Sequence, residues 1–182
     1  VTMLDSDFEK LRAFQQSQIH KNLVIHEYSA VILRELLLET DVLIAAKHNA
    51  GFKSPILVTQ ADLKLLKPGS LVIDLAIDQG GCLETSRPTT ALKPVFILDK
   101  ILHFCVGSLP AVVPHTSSTV YSALLYPYVK AIADLGCREA VAVNSDLRNG
   151  LNIYQGKLVN ADLANGFHLQ SYDILELFEL NI

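Results

Sequence analysis

Several features that mark whole classes of protein are missing from this sequence. No apolar run approaches the roughly 18 residues that a membrane span needs, although half of the 182 residues are hydrophobic. Lys and Arg nowhere cluster and the formal net charge is −4, so no nucleic-acid partner is expected. The three cysteines, Cys82, Cys105 and Cys137, are odd in number and lack a Cys-x-x-Cys spacing. That usage suits free thiols in a reducing cytosol better than a disulfide framework. Six histidines show neither a His-x-x-x-His spacing nor a pairing with cysteine, so no metal site is read. No signal-peptide pattern opens the chain, and a cytoplasmic location is the expectation. What remains is a chain able to bury a sizeable core as one domain, or one and a half.

What is present is organised around residues 67–90, KPGSLVIDLAIDQGGCLETSRPTT. Lys67-Pro68-Gly69 reads as a turn, with Pro fixing one φ and Gly tolerating a positive one. Residues 70–77 follow as a nearly continuous Leu, Val and Ile run, which fits a central parallel strand buried on both faces. The composition then flips to Asp78-Gln79-Gly80-Gly81. In an open α/β sheet, ligands bind outside the carboxyl ends of the strands. Two glycines there would let backbone approach a ligand closely, and Asp78 would aim a carboxylate at it. The plainer reading is a glycine turn with Asp78 capping a loop amide, and spacing alone does not choose between the two.

Around this centre, strands and helices alternate. Residues 1–5 suit a strand that ends in an acid, Asp5, which can accept hydrogen bonds from ribose hydroxyls or cap the next helix. A helix is expected over 7–18, a strand over 22–26, a helix over 30–39 and an apolar strand from 42 to 46. Thr59 and Asp62 form a capping-box pattern at the start of a helix to 66. This alternation predicts a parallel sheet covered on both faces. Beyond residue 90, runs at 95–98 and 101–106 flank Asp99-Lys100 and read as a hairpin. A long helix should begin after Pro114, with Val120, Leu124, Pro127, Tyr128, Ala131 and Leu135 on one stripe. Pro127 should kink it, and Gly136 should end it. Helices at 137–143, 161–164 and 172–178 and an irregular or strand-like stretch at 150–159 complete the chain.

One pattern normal to a dinucleotide-binding fold is missing: no Gly-x-Gly-x-x-Gly occurs. Its acidic partner usually follows that turn by about 20 residues. Here the acid is residue 5, so the sequence is expected to be the C-terminal part of a longer dinucleotide-binding protein.

Together these stretches carry a resemblance. VIDLAIDQGGCLETSRPTT is similar to the signature segment of the alanine dehydrogenases, the family that includes the NAD(H)-binding subunit of transhydrogenase. VTMLD at 1–5, SPILVTQADLKLLKPGS, HFCVGSLPAVVPHTSS at 103–118 and GLNIYQGKL at 150–158 resemble that family in its own order, so the likeness spans essentially the whole chain. The DQGGC-x-ETSRPTT form favours the dehydrogenases over the transhydrogenase subunit. The resemblance implies a partial Rossmann-like, doubly wound parallel α/β sheet without its first strand and glycine loop. A cofactor domain over 1–112 and a substrate-domain segment over 113–182 would follow. It implies NAD as cofactor, L-alanine, pyruvate and ammonia as substrates, and a homo-oligomer, commonly a hexamer.

Residue by residue, Asp5 matches the ribose-binding acid, and Lys10 and Ser29 match contacts near the adenosine. Leu75, Ala76, Ile77 and Asp78 match the nicotinamide side, with Asp78 the family's catalytic aspartate. Arg87 matches a cofactor-proximal arginine, unless it instead holds Glu84 or the local loop. Val106, Gly107, Ser108 and Leu109 match the loop lining the nicotinamide, where the family usually has Val-Ala-Asn-Met. Ser108 and Leu109 depart from that pattern, as do Lys47 and His48, which replace apolar residues and also suit a solvated loop. No histidine here matches the family's substrate histidine, so residues 1–182 alone are expected to be inactive. A subunit that hands hydride to another protein and a non-catalytic remnant are the alternatives.

Overall fold

In the computed structural model, which describes residues 1–17, 22–49 and 53–178, short apolar runs become four-residue strands. Strand β1 (Thr2–Asp5) pairs in parallel with β2 (Val24–Glu27), setting Asp5 opposite Glu27. Helix α1 (Phe8–Gln16) lies between them and is capped by Asp7, whose carboxylate accepts from the Lys10 amide at 3.1 Å. Asp5 is therefore not the helix cap; it accepts from the Asp7 amide at 3.0 Å, in the turn before the helix. Residue 18, the expected end of this helix, lies outside the described residues.

Helix α2 (Ala30–Leu37) follows β2, with the Ser29 hydroxyl accepting from the Ile32 amide at 3.2 Å. Strand β3 (Val42–Ala45), helix α3 (Gln60–Leu63) and strand β4 (Leu71–Asp74) come next. The capping box at α3 forms reciprocally: Thr59 Oγ1 accepts from the Asp62 amide, and the Asp62 carboxylate accepts from the Thr59 amide. Strands β5 (Val95–Leu98) and β6 (Ile101–Phe104) form the expected antiparallel hairpin through Asp99-Lys100, both at positive φ. The resulting sheet has the order β3-β4-β6-β5, parallel except for the β5 edge. Among the described residues, no ladder joins it to the β1-β2 pair.

Two expectations about the central strand need correction. The strand ends at Asp74 rather than Ile77, because Asp74 draws the Ala76 amide onto its own carboxylate at 3.0 Å and the chain turns. A 3₁₀ turn at Ile77–Gln79 then carries Asp78. Nor is the sheet covered evenly on both faces. Leu33 and Leu37 of α2 and Leu63 and Leu66 at and beyond α3 pack with Ala45 and Val72 on one side. On the alternate positions of β3, Val42 and Ile44 remain 52 % and 58 % exposed.

The chain divides into two compact units, 1–47 with 55–107, and 48–54 with 108–182. The second holds the 22-residue helix α4 (Pro114–Leu135), which ends where Gly136 turns to φ +80°. None of its residues is buried, so the predicted stripe forms no core. Pro127 sits inside the helix and offers no amide to the carbonyl of Ala123. Helix α5 (Cys137–Val143) has the expected bounds. Helix α6 (Ser145–Gly150) was not foreseen; the Asn144 side chain caps it. Strands β7 (Ile153–Tyr154) and β8 (Lys157–Leu158) pair as a small hairpin, followed by α7 (Ala161–Phe167) and α8 (Ile174–Leu177). Val141, Ile174 and Phe178 form this unit's own buried cluster.

Candidate active site

The carboxyl ends of the parallel strands in the first unit carry most of the chemistry. Asp5 closes β1 half-buried, and the Tyr28 amide donates to its carbonyl at 2.9 Å, which brings the ends of β1 and β2 together. From beyond β3, the Lys47 ammonium reaches to 3.9 Å from Asp5 Oδ1 and donates to Ser6 Oγ at 3.2 Å. The expected solvated loop at Lys47 is thus a salt bridge across two strand ends. Lys10 turns to Asp7 at 3.2 Å, and Ser29 is engaged as the cap of α2.

Next along the sheet, the Leu75 amide donates to the Ala45 carbonyl at 2.8 Å, so the chain leaving β4 stays fixed to the end of β3. Leu75 and Asp78 are exposed, while Ala76 and Ile77 are buried. Beyond β6, Val106 is buried and Gly107 carries the chain out of the unit. A Cβ at Gly107 would lie 2.8 Å from Asp78 Oδ1, so a larger residue there would push that exposed carboxylate aside. Asp78 and Gly107 are therefore in close approach. Ser108, at φ +51°, precedes a 3₁₀ turn at Leu109–Val112, and both residues belong to the second unit.

Gly80 and Gly81 both take positive φ, at +95° and +83°. A Cβ on Gly81 would stand 2.8 Å from Asp74 Oδ2 and 2.9 Å from Ser86 Cβ, so this glycine packs closely against the protein's own interior. Of the two alternatives for Arg87, the geometry fits a hold on local structure rather than on Glu84. Its guanidinium lies over the Phe96 ring at 4.1 Å, while Glu84 accepts from the Gln60 amide at 2.7 Å.

Beneath the loop runs a polar network that sequence reasoning missed. Asp74, 1 % exposed, accepts from the amides of Ala76, Cys82 and Leu83 and from Ser86 Oγ. His103, fully buried, sits with Nδ1 3.1 Å from the Ile101 carbonyl and Nε2 2.9 Å from Thr85 Oγ1. A carbonyl only accepts, so Nδ1 carries the proton and Nε2 accepts from the Thr85 hydroxyl. Burial holds His103 below the usual imidazole range, and the same cause pushes the Cys105 thiol up. The signal for Asp74 was visible as an acid inside an apolar run, since a carboxylate buried in a strand must find donors.

A family profile described as "Alanine dehydrogenase/PNT, C-terminal domain" matches residues 1–161. The chain belongs to that family. Alanine dehydrogenase of Halomonas elongata is 35 % identical over 177 residues, covering 97 % of this chain and 47 % of that protein. Alanine dehydrogenase 1 of Staphylococcus aureus is 34 % identical over 179 residues, covering 98 % of this chain and 48 % of its own length. A solved L-alanine dehydrogenase superposes with a TM-score of 0.79 at 28 % identity, over 92 % of this chain and 46 % of that one. A transhydrogenase from Sinorhizobium meliloti shares the fold at a TM-score of 0.60 and 21 % identity, over 75 % of this chain and 38 % of that one. The chain thus spans about half the length of the curated alanine dehydrogenases it matches. No described helix is long and apolar enough to cross a membrane, and no described cluster of His, Cys, Asp and Glu is arranged to hold a metal.

Proposed function

We propose that this chain is the cofactor-side portion of an NAD-dependent alanine dehydrogenase, which converts L-alanine reversibly to pyruvate and ammonia. The observation that carries this reading is Asp78, one 3₁₀ turn beyond a central parallel strand and packed against the glycine that follows the neighbouring strand. NAD, when bound, takes the hydride from the alanine Cα. The residues present fit its two ends. Asp5 offers a half-buried carboxylate for the ribose hydroxyls, with Lys10 in the helix that follows it and Ser29 two residues beyond its strand partner Glu27. The backbone of Leu75, Ala76 and Ile77, with Val106 and Gly107, forms the wall on the nicotinamide side. Asp78 supplies or orients the proton-transfer group, and Arg87 stiffens the loop through Phe96. A homo-oligomer in the cytoplasm is the setting that the family implies.

The test is alanine-dependent NADH formation by the full-length protein and by its Asp78→Asn variant. Loss of one positioned proton-transfer group typically lowers turnover about 100- to 10,000-fold. NAD binding should weaken far less. A variant that keeps most of its turnover would reduce Asp78 to a loop residue, and a full-length protein without any alanine-dependent reduction would sink the dehydrogenase reading.

A further inference from the structure

We propose that Asp74 is the positioning residue of this site: its buried carboxylate sets the loop that carries Asp78 and the backbone that meets it. The inference rests on the dehydrogenase reading for its consequence in turnover, but its geometry stands on contacts within the first unit. Asp74 ends β4, and its two oxygens divide the work. Oδ1 takes the amide of Ala76, the residue that opens the 3₁₀ turn bearing Asp78. Oδ2 takes the amides of Cys82 and Leu83, at 2.7 and 3.3 Å, and the hydroxyl of Ser86 at 2.6 Å. Both ends of the 76–86 loop are therefore tied to one carboxylate, with Asp78 between them. Gly81 is required for the same reason, since any Cβ would strike Oδ2.

The ties continue to the opposite lip. Ser86 accepts from the Cys105 thiol at 3.7 Å, and three residues on the Thr89 amide donates to the Cys105 carbonyl at 2.8 Å. The Gly107 amide in turn donates to the Thr89 carbonyl at 3.4 Å. Asp74 thereby fixes Asp78 directly through the loop and Gly107 indirectly through 86–89. It touches neither substrate nor cofactor, and acts through Asp78.

Asparagine at position 74 is nearly isosteric but keeps only one oxygen. If that oxygen stays with the three donors, its amide group faces the Ala76 amide, donor against donor, at the root of the 3₁₀ turn. The experiment compares turnover of the full-length protein with that of Asp74→Asn, Asp78→Asn and the double variant, alongside amide hydrogen exchange over 76–86. Asp74→Asn is expected to lower kcat at least tenfold per folded molecule and to speed exchange at 77–79. The double variant is expected to be no slower than Asp78→Asn alone, because both changes remove one function. Losses that multiply, or a kcat that falls only with the folded fraction, would overturn the proposal. Should Asp74→Asn fail to fold, Ser86→Ala removes one donor from Oδ2 and should lower kcat several-fold with the same lack of additivity; full turnover there would overturn it too. If the unsubstituted protein shows no alanine-dependent reduction, the dehydrogenase reading fails separately, and unchanged exchange at 77–79 would then still refute the placing role of Asp74.

Discussion

Arg34 Nε donates to Asp62 Oδ1 at 2.7 Å, joining the middle of α2 to the first turn of α3. The Arg34 guanidinium, with the Thr59 hydroxyl and amide next, holds the Asp62 carboxyl down to about 2. An unfolded aspartate titrates near 3.9, so below that pH the unfolded chain binds the extra proton first. Asp62 therefore contributes stability that is complete above about pH 4 and lost as pH falls toward about 2. Replacing Arg34 by Met should therefore cost stability above about pH 4 and progressively less as pH falls toward about 2, a modest cost because the guanidinium is more than half exposed. Urea melts followed by circular dichroism at neutral and at acid pH read this directly, and a loss equal at both, or none at either, would deny the pair its role.

His103 sets a second, higher window. Burial disfavours its protonated imidazole in the fold, while the unfolded residue titrates near 6.5. Below that value the unfolded chain binds more protons, so stability rises with pH through about 5 to 7 and is complete above it. His103→Gln can keep a donor toward Ile101 and an acceptor toward Thr85 but cannot titrate. Urea melts at pH 5, 6, 7 and 8 should show the slope for the natural chain and a flatter line for the variant.

If Asp5 holds the ribose as proposed, cofactor choice should depend on it and on its neighbour Lys47. A carboxylate at the end of β1 pairs with free ribose hydroxyls and repels a 2′-phosphate, so the full-length protein should prefer NAD to NADP. Because the Lys47 ammonium stands 3.9 Å away, Asp5→Ser removes a negative charge from this strand end and keeps a positive one near it. That variant should shift the NADP-to-NAD ratio of kcat/KM upward by about tenfold or more, equivalent to about 1.4 kcal/mol. Equal efficiency with both cofactors before substitution would contradict the role given to Asp5.

Residues 1–182 taken alone should bind NAD no more tightly than the millimolar range, about 4 kcal/mol. The pyrophosphate is the most charged part of the cofactor, and the sequence holds no glycine-rich turn to aim helix amides at it. No alanine-dependent NADH should form. Calorimetric titration decides the matter: micromolar binding would place a pyrophosphate site on residues not named above.

Much of the framework was legible because it follows from local pattern. Asp99-Lys100 between two apolar runs, Thr59 with Asp62, and Gly136 after a long periodic stretch each became the element their chemistry requires. The meeting of Asp78 with Gly107 was not legible in local pattern, since it joins positions 29 residues apart in the sequence. What periodicity could not show was the role of Asp74. An apolar run reads as uninterrupted strand, yet the carboxylate inside it recruits an amide two residues on and ends the strand early. The uncovered face of β3 was equally hidden, because a run of Val, Leu and Ile has the same composition whether one face or two are packed.

The β5-β6 hairpin turns on two residues with side chains, Asp99 at φ +50° and Lys100 at +66°, in a region where glycine is at home. Asp tolerates that geometry, while Lys at the second position is held there against a preference of about 1 kcal/mol. The Lys100 carbonyl nonetheless accepts from the Gly69 amide at 2.8 Å, so the turn is anchored to the loop that feeds β4. Glycine at 100 would keep that carbonyl and relax the backbone. The tip of this hairpin is thus where an engineer could harden the protein against heat while leaving the strand ends, and whatever chemistry they perform, untouched.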